Sequence, residues 1–208
     1  MTCLYALSLY PLLPDRWREL LPMLPTERQQ RALACRADSD AARIAGAGWL
    51  LQQVLQQNGI PRDQQRFTCN PQGKPALAEN KALHFSLSHS GSWVVCAVGD
   101  HPVGVDVELP RCSAAIAKRY FHPSEAAWAD DPDCLCRLWT AKEAFVKALG
   151  DGLTIPLRSF QVELMTDRAV LFQAQSPLPY QLHEYALAPY RICLCSVGEK
   201  PELTLWNI

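Results

Sequence analysis

Asp106, Glu108 and Glu143 are the residues whose types and spacing point most directly to chemistry. In Val103-Gly104-Val105-Asp106-Val107-Glu108 the valines fall on one face of a strand, and Gly104, Asp106 and Glu108 on the other. Alternate side chains on a strand stand roughly 6.5 Å apart, so the two carboxylates can aim at one point. Trp139-Thr140-Ala141-Lys142-Glu143-Ala144-Phe145-Val146-Lys147 reads as a helix in which Glu143 and Lys147 are i,i+4 neighbours. If Glu143 faces the strand, three carboxylates meet. At an effective dielectric of about 20, two such charges ~6 Å apart repel by roughly 2–3 kcal/mol. Such a cluster needs a cation, and hard oxygen ligands suit Mg²⁺, which keeps waters and takes its remaining ligands from substrate phosphates. The plainer alternatives are a charged strand face and a Glu143/Lys147 surface pair worth a few tenths of a kcal/mol.

A second constellation is His84-Phe85-Ser86-Leu87-Ser88-His89-Ser90-Gly91. Phe85 and Leu87 point one way, while Ser86, Ser88, His89 and Ser90 offer hydroxyls and an imidazole that suit phosphate oxygens. A Ser/His nucleophilic pair is disfavoured, because Ser88 and His89 are adjacent and point to opposite faces, and no Gly-x-Ser-x-Gly elbow exists. Gly73-Lys74-Pro75 is a turn carrying a lysine, without the P-loop pattern. Arg28, Arg31, Arg36 and Arg43 read either as a solvated helix face or as an anion-binding edge.

The elements that must position these groups follow from periodicity. A first strand covers residues 2–10. Thr26-x-x-Gln29 has the form of a capping box opening a short basic helix. A second helix runs from Ser39-Asp40 to Asn58-Gly59, with Ile44, Ala47, Leu51 and Leu55 as its core stripe and Arg43 off it. Strands follow at 84–89, 93–98 and 103–108, then helices near 114–120 and from Pro123, and the helix 138–149, stopped by Gly150-Asp151-Gly152. The remainder is largely β, at 160–164, 169–172, 181–187, 191–197 and 203–206.

Composition excludes several classes. A formal net charge of -1 argues against a nucleic-acid footprint. No apolar run reaches the ~18 residues of a membrane span, and the N-terminus lacks the basic region of a signal peptide. The nine cysteines are odd in number and contain no Cys-x-x-Cys pair; Cys96, Cys193 and Cys195 lie in apolar strand-like runs, so they read as buried cytosolic thiols.

Together, Gly73-Lys74-Pro75, Phe85 to Ser90, Gly104 to Glu108 and Leu138 to Leu153 resemble, in order and spacing, the 4′-phosphopantetheinyl transferases of the surfactin-synthetase-activating (Sfp-like) class. The resemblance spans nearly the whole chain and is strongest from 73 to 164. It implies an α/β (α+β) fold, a pseudo-dimer of two similar halves, 1–100 and 101–208, with mainly antiparallel sheets and the active site in the cleft between them. It implies Mg²⁺ on Asp106, Glu108 and Glu143, and coenzyme A held by Arg43, Lys74, Pro75, Ser88, His89, Asp106, Lys142 and Lys147. Glu143, Lys147 and His89 would be catalytic, and the acceptor a serine of an apo acyl or peptidyl carrier protein. A cytoplasmic monomer, with no nucleic-acid or membrane partner, is the expected setting. The rival readings are a metal-dependent phosphohydrolase of coenzyme A-like pyrophosphates and a non-catalytic carrier-binding homologue. The segment from Glu125 to Trp139 is shorter than in better-known members and holds Asp130, Asp131 and Asp133, which would oppose an acidic carrier and narrow the choice of carrier.

Overall fold

The computed structural model describes all residues except 112, 113, 129, 151–153, 167, 173–175 and 177. Cys112, Ala129, the expected turn residues Asp151 and Gly152, and Leu153 at the end of the resembling segment therefore lie outside the described residues. The N-terminal half holds β1 (Cys3–Ser8), α1 (Thr26–Leu33), α2 (Asp38–Gln57), the short pair β2 (Phe67–Cys69) and β3 (Pro75–Leu77), then β4 (His84–Ser90) and β5 (Trp93–Gly99). The C-terminal half holds β6 (Gly104–Glu108), α3 (Ala114–Tyr120), α4 (Pro132–Leu149), β7 (Gln161–Leu164), β8 (Ala169–Phe172), β9 (Tyr180–Leu187), β10 (Tyr190–Val197) and β11 (Leu203–Trp206).

The two halves repeat one topology. In each, a first strand leads through a long helix to a hairpin whose second strand returns to pair with the first. The orders are β1-β5-β4 and β6-β10-β9, antiparallel throughout. β11, the last strand, pairs in parallel with β1.

Strand alternation makes this arrangement a four-layer stack, helix on sheet on sheet on helix. Leu7, Val94, Cys96 and Val98 pack against α2 residues such as Ala45, Leu50 and Val54. On the other faces Leu4, Ala6, Val95 and Ala97 meet Val103, Val105, Val107, Ile192 and Leu194, so the three valines of β6 form the seam between the halves. Cys193 and Cys195 share the core cluster that contains Ala141, Phe145 and Ala148 of α4. Cys96, Cys193 and Cys195 are buried. Among the described residues no helix is long and apolar enough to cross a membrane.

Two expected helix starts differ. Thr26 is the first residue of α1 rather than its cap; Pro25 takes the cap position without a side-chain bond, and the Gln29 amide donates to the Leu24 carbonyl at 2.8 Å. α4 begins six residues earlier than expected. Asp131 caps it by accepting from the amides of Asp133 and Cys134 at 2.8 and 3.3 Å, with Pro132 in the first helical position, where no amide is needed. Asp133 pairs with Arg191 at 2.6 Å. Two of the three aspartates thought to face a carrier are thus engaged within the chain.

Candidate active site

Gly104 decides how close α4 comes to β6. A Cβ there would overlap the Ala144 carbonyl and the Ala148 amide, so a glycine is needed for the helix to lie against the strand. That contact brings Glu143 and Lys147 over Asp106 and Glu108. Asp106 is buried. Its Oδ1 accepts from the Ser88 hydroxyl at 2.7 Å and pairs with the Lys147 ammonium at 2.6 Å, while its Oδ2 is buried with no hydrogen-bond partner. Glu108 Oε2 accepts from the Ser90 hydroxyl at 2.7 Å.

The carboxylates feel one another. Glu143 is shifted toward higher pKa by burial first, then by the Asp106 charge, with a smaller push from Glu108. Glu108 is raised mainly by burial, with Asp106 adding to it against the lowering bond from Ser90. Lys147 does not take the surface pairing with Glu143: its ion pair is with Asp106, and it also donates to Ser88 Oγ and the Val105 carbonyl, both at 3.2 Å. Among the described residues no three His, Cys, Asp or Glu side chains form a ready-made metal-binding group. The donor set nevertheless suits a divalent cation, with an orphaned buried oxygen beside two carboxyls disfavoured as anions by burial and by each other.

β4 supplies the opposite wall. Ser86, Ser88 and Ser90 lie two apart, and all three reach across to β6. The Ser86 hydroxyl accepts the Val105 amide at 3.1 Å, and the other two hold Asp106 and Glu108. His89, on the other face, is exposed; desolvation and then the nearby Arg43 cation lower its pKa. Arg43 reaches that site from the first turns of α2, held by Asp40 and by the Gly91 carbonyl at 3.2 Å. Lys74 donates to the Val103 carbonyl at 3.1 Å and to the Lys147 carbonyl; burial lowers its pKa to about 8, with Lys147 adding to the shift.

Two cavities adjoin here. One of about 430 Å³ is lined by Lys74, Pro75, Ser86, Glu143 and Lys147. The other, of about 490 Å³, is lined by Arg28, Arg31, Pro75, Ser88, His89 and Lys147. Pro75 and Lys147 line both, so the two cavities share a wall, and residues 73–75, β4, α1 and α4 border them with cations.

Lys142 is a correction. Expected on coenzyme A phosphate, it is instead fully buried, and its ammonium pairs with Glu125 at 2.8 Å, the two side chains being 0 and 1 % exposed. It also donates to the carbonyls of Leu157 and Phe160 at 2.8 Å each. One residue along a helix is a turn of about 100°, so Lys142 and Glu143 cannot both face the cleft. The sequence offers Ser90 to phosphate oxygens, whereas its hydroxyl holds Glu108; of the two readings open for Arg28, a place on the cleft edge is the one seen; Asn70 is legible only as a turn residue. The two-residue period of the serines was the available signal for Ser90.

Residues 11–101 match the family model described as 4′-phosphopantetheinyl transferase, N-terminal, and residues 102–195 match that of the 4′-phosphopantetheinyl transferase superfamily. The chain belongs to this family and is an enzyme of its Sfp-like class. It is 30% identical over 196 residues to the 4′-phosphopantetheinyl transferase Sfp of Bacillus subtilis, covering 89% of this chain and 88% of that protein. It is 32% identical over 207 residues to psf-1 of Bacillus pumilus, covering 93% and 89%. It is also 32% identical over 177 residues to gsp of Aneurinibacillus migulanus, covering 81% and 74%.

Proposed function

We propose that this chain moves the 4′-phosphopantetheine group of coenzyme A onto a serine hydroxyl of an apo acyl or peptidyl carrier protein and releases 3′,5′-ADP. The observation that carries the reading is the meeting of Glu143 and Lys147 from the C-terminal half with Lys74, Ser86, Ser88 and His89 from the N-terminal half around the two adjoining cavities, with Lys147 and Ser88 both bound to Asp106. Asp106, Glu108 and Glu143 would hold Mg²⁺, which when bound neutralises pyrophosphate charge. Lys74, Pro75, Ser88, His89 and Arg43 line or border the space for the phosphates and the adenylate end of coenzyme A.

The chain's own groups divide the remaining work. Glu143, raised by burial and by its neighbours, suits uptake of the serine proton. Lys147 is oriented by Asp106, Ser88 and the Val105 carbonyl, so its cation is placed before substrate arrives and stabilises charge on the departing phosphate together with His89. Because both walls come from one chain, the reading is of a monomer. Buried thiols such as Cys96, Cys193 and Cys195 fit a reducing cytoplasm.

The test is incubation with coenzyme A, Mg²⁺ and a panel of apo carriers, followed by intact-mass measurement of each carrier. A carrier that gains the phosphopantetheine mass supports the reading. Coenzyme A consumed equally fast without any acceptor would replace it with the phosphohydrolase.

A further inference from the structure

The loop that joins β2 to β3 is fixed to the other half of the molecule by two side chains, Asn70 and Lys74. Asn70 opens this loop, and its Oδ1 accepts the amides of Gln72 and Lys74 at 3.1 and 2.8 Å. Its backbone closes the turn as well, through Asn70 N to the Lys74 carbonyl at 3.0 Å and Gly73 N to the Asn70 carbonyl at 2.9 Å. Gly73 takes a φ of +84°, which a glycine adopts without strain. The other end of the same side chain crosses the molecule, where Nδ2 donates to the Gly150 carbonyl at 2.6 Å, eighty residues away.

Gly150 ends α4, the helix that carries Glu143 and Lys147. The last carbonyls of a helix have no partner within it, and that end bears partial negative charge, so it attracts donors and cations. The loop answers both needs. The Asn70 amide takes the Gly150 carbonyl, and the Lys74 ammonium takes the Lys147 carbonyl. A loop of the N-terminal half therefore caps the helix of the C-terminal half. The residue that shapes the turn also fixes the distance between Lys74 and Lys147.

We propose that Asn70 is a positioning residue, fastening the loop that bears Lys74 to the end of α4 and so setting where Lys74 and Lys147 meet the coenzyme A phosphates. The inference rests on coenzyme A occupying this cleft, as argued above. An amide is required because it offers an acceptor to the turn and a donor to the helix at once. Aspartate keeps the acceptor and loses the donor. Serine keeps a shorter acceptor, and its hydroxyl does not extend to Gly150.

Asn70→Ser and Asn70→Asp test it, by calorimetry of coenzyme A binding and by kinetics with a carrier that the wild type modifies. The expected result is a KM and Kd for coenzyme A raised about fivefold in both variants, the scale of one lost hydrogen bond. The carrier KM should stay within about twofold, since the oriented amide acts on coenzyme A placement, whereas kcat falls to the extent that Lys147 is displaced. Wild-type affinity for coenzyme A in the serine variant would overturn the inference. So would coenzyme A and carrier KM values rising together in step with a falling melting temperature, the mark of general loosening. A wild type that neither binds nor consumes coenzyme A would instead remove the functional reading on which this one stands, so the two failures are told apart by the wild-type titration.

Discussion

Replacing Lys142 with methionine separates a structural lysine from a substrate-gripping one. Methionine keeps most of the length and the apolar stem and removes the ammonium. The loss comprises the 2.8 Å ion pair with Glu125, two 2.8 Å bonds to the carbonyls of Leu157 and Phe160, and a cation–π contact 4.4 Å from the Phe160 ring centre. Breaking one side of a buried ion pair costs about 3–5 kcal/mol. Here Glu125 keeps two donors, the amides of His122 and Val162 at 2.8 and 2.7 Å, so its carboxylate is not left bare. The lower end, about 3 kcal/mol, is the expected loss. For a chain of this length that lowers the melting temperature by about 6–12 °C. Urea unfolding of Lys142→Met, Glu125→Gln and the double variant gives the coupling between them, and the double variant should be more stable than the sum of the two single losses implies. The KM for coenzyme A, measured well below the melting temperature, should stay within about twofold of wild type. A destabilisation under about 1 kcal/mol accompanied by a tenfold rise in that KM would refute the reasoning and return Lys142 to the phosphates.

Three other outcomes follow from the site. Glu143→Gln should abolish transfer, yet stabilise the metal-free protein by roughly 1 kcal/mol at neutral pH, because it removes one of three mutually repelling carboxylates. Glu143 and Glu108 are both raised, so their contribution is present below the ordinary glutamate pKa of about 4.3 and is lost as pH rises through the raised values. Urea midpoints in EDTA should therefore fall toward neutral pH in the wild type and less in Glu143→Gln. Asp106→Asn should also abolish transfer but lower stability by about 1–2 kcal/mol, since Lys147 and Ser88 both rely on the charged oxygen; equal stability changes in the two variants would count against the geometry. Lys74, lowered to about 8, is charged in the free protein only below that pH. Its charged form is the one that binds phosphate, so the coenzyme A Kd should rise by up to about tenfold per pH unit above about 8, with proton uptake visible by calorimetry in two buffers, and Lys74→Met should flatten that rise.

The division between what the sequence determined and what the tertiary structure decided runs along the range of the interactions. Alternation in 103–108 was enough to place the three valines on one face and Gly104, Asp106 and Glu108 on the other, because a strand has a period of two and each side chain's face follows from its number. The helix bearing Glu143 and Lys147 was legible for the same kind of reason. Which face of that helix met the strand was not. A step of 100° per residue puts Glu143 at the cleft and Lys142 inside the core, and only the position of Glu125, the Leu157–Phe160 turn and the closely packed Gly104 selects that rotation. The acidic run at 130–133 read as charge until the fold showed Asp131 capping α4 and Asp133 paired with Arg191. A cap depends on where the chain turns, and a pair with Arg191 depends on a strand nearly sixty residues later. The repeat of one topology in two halves was likewise invisible, since it lies in strand pairing order rather than in residue identity. Asn70 is the clearest case: its sequence marks a turn, and its reach to Gly150 exists only because the two halves close on each other.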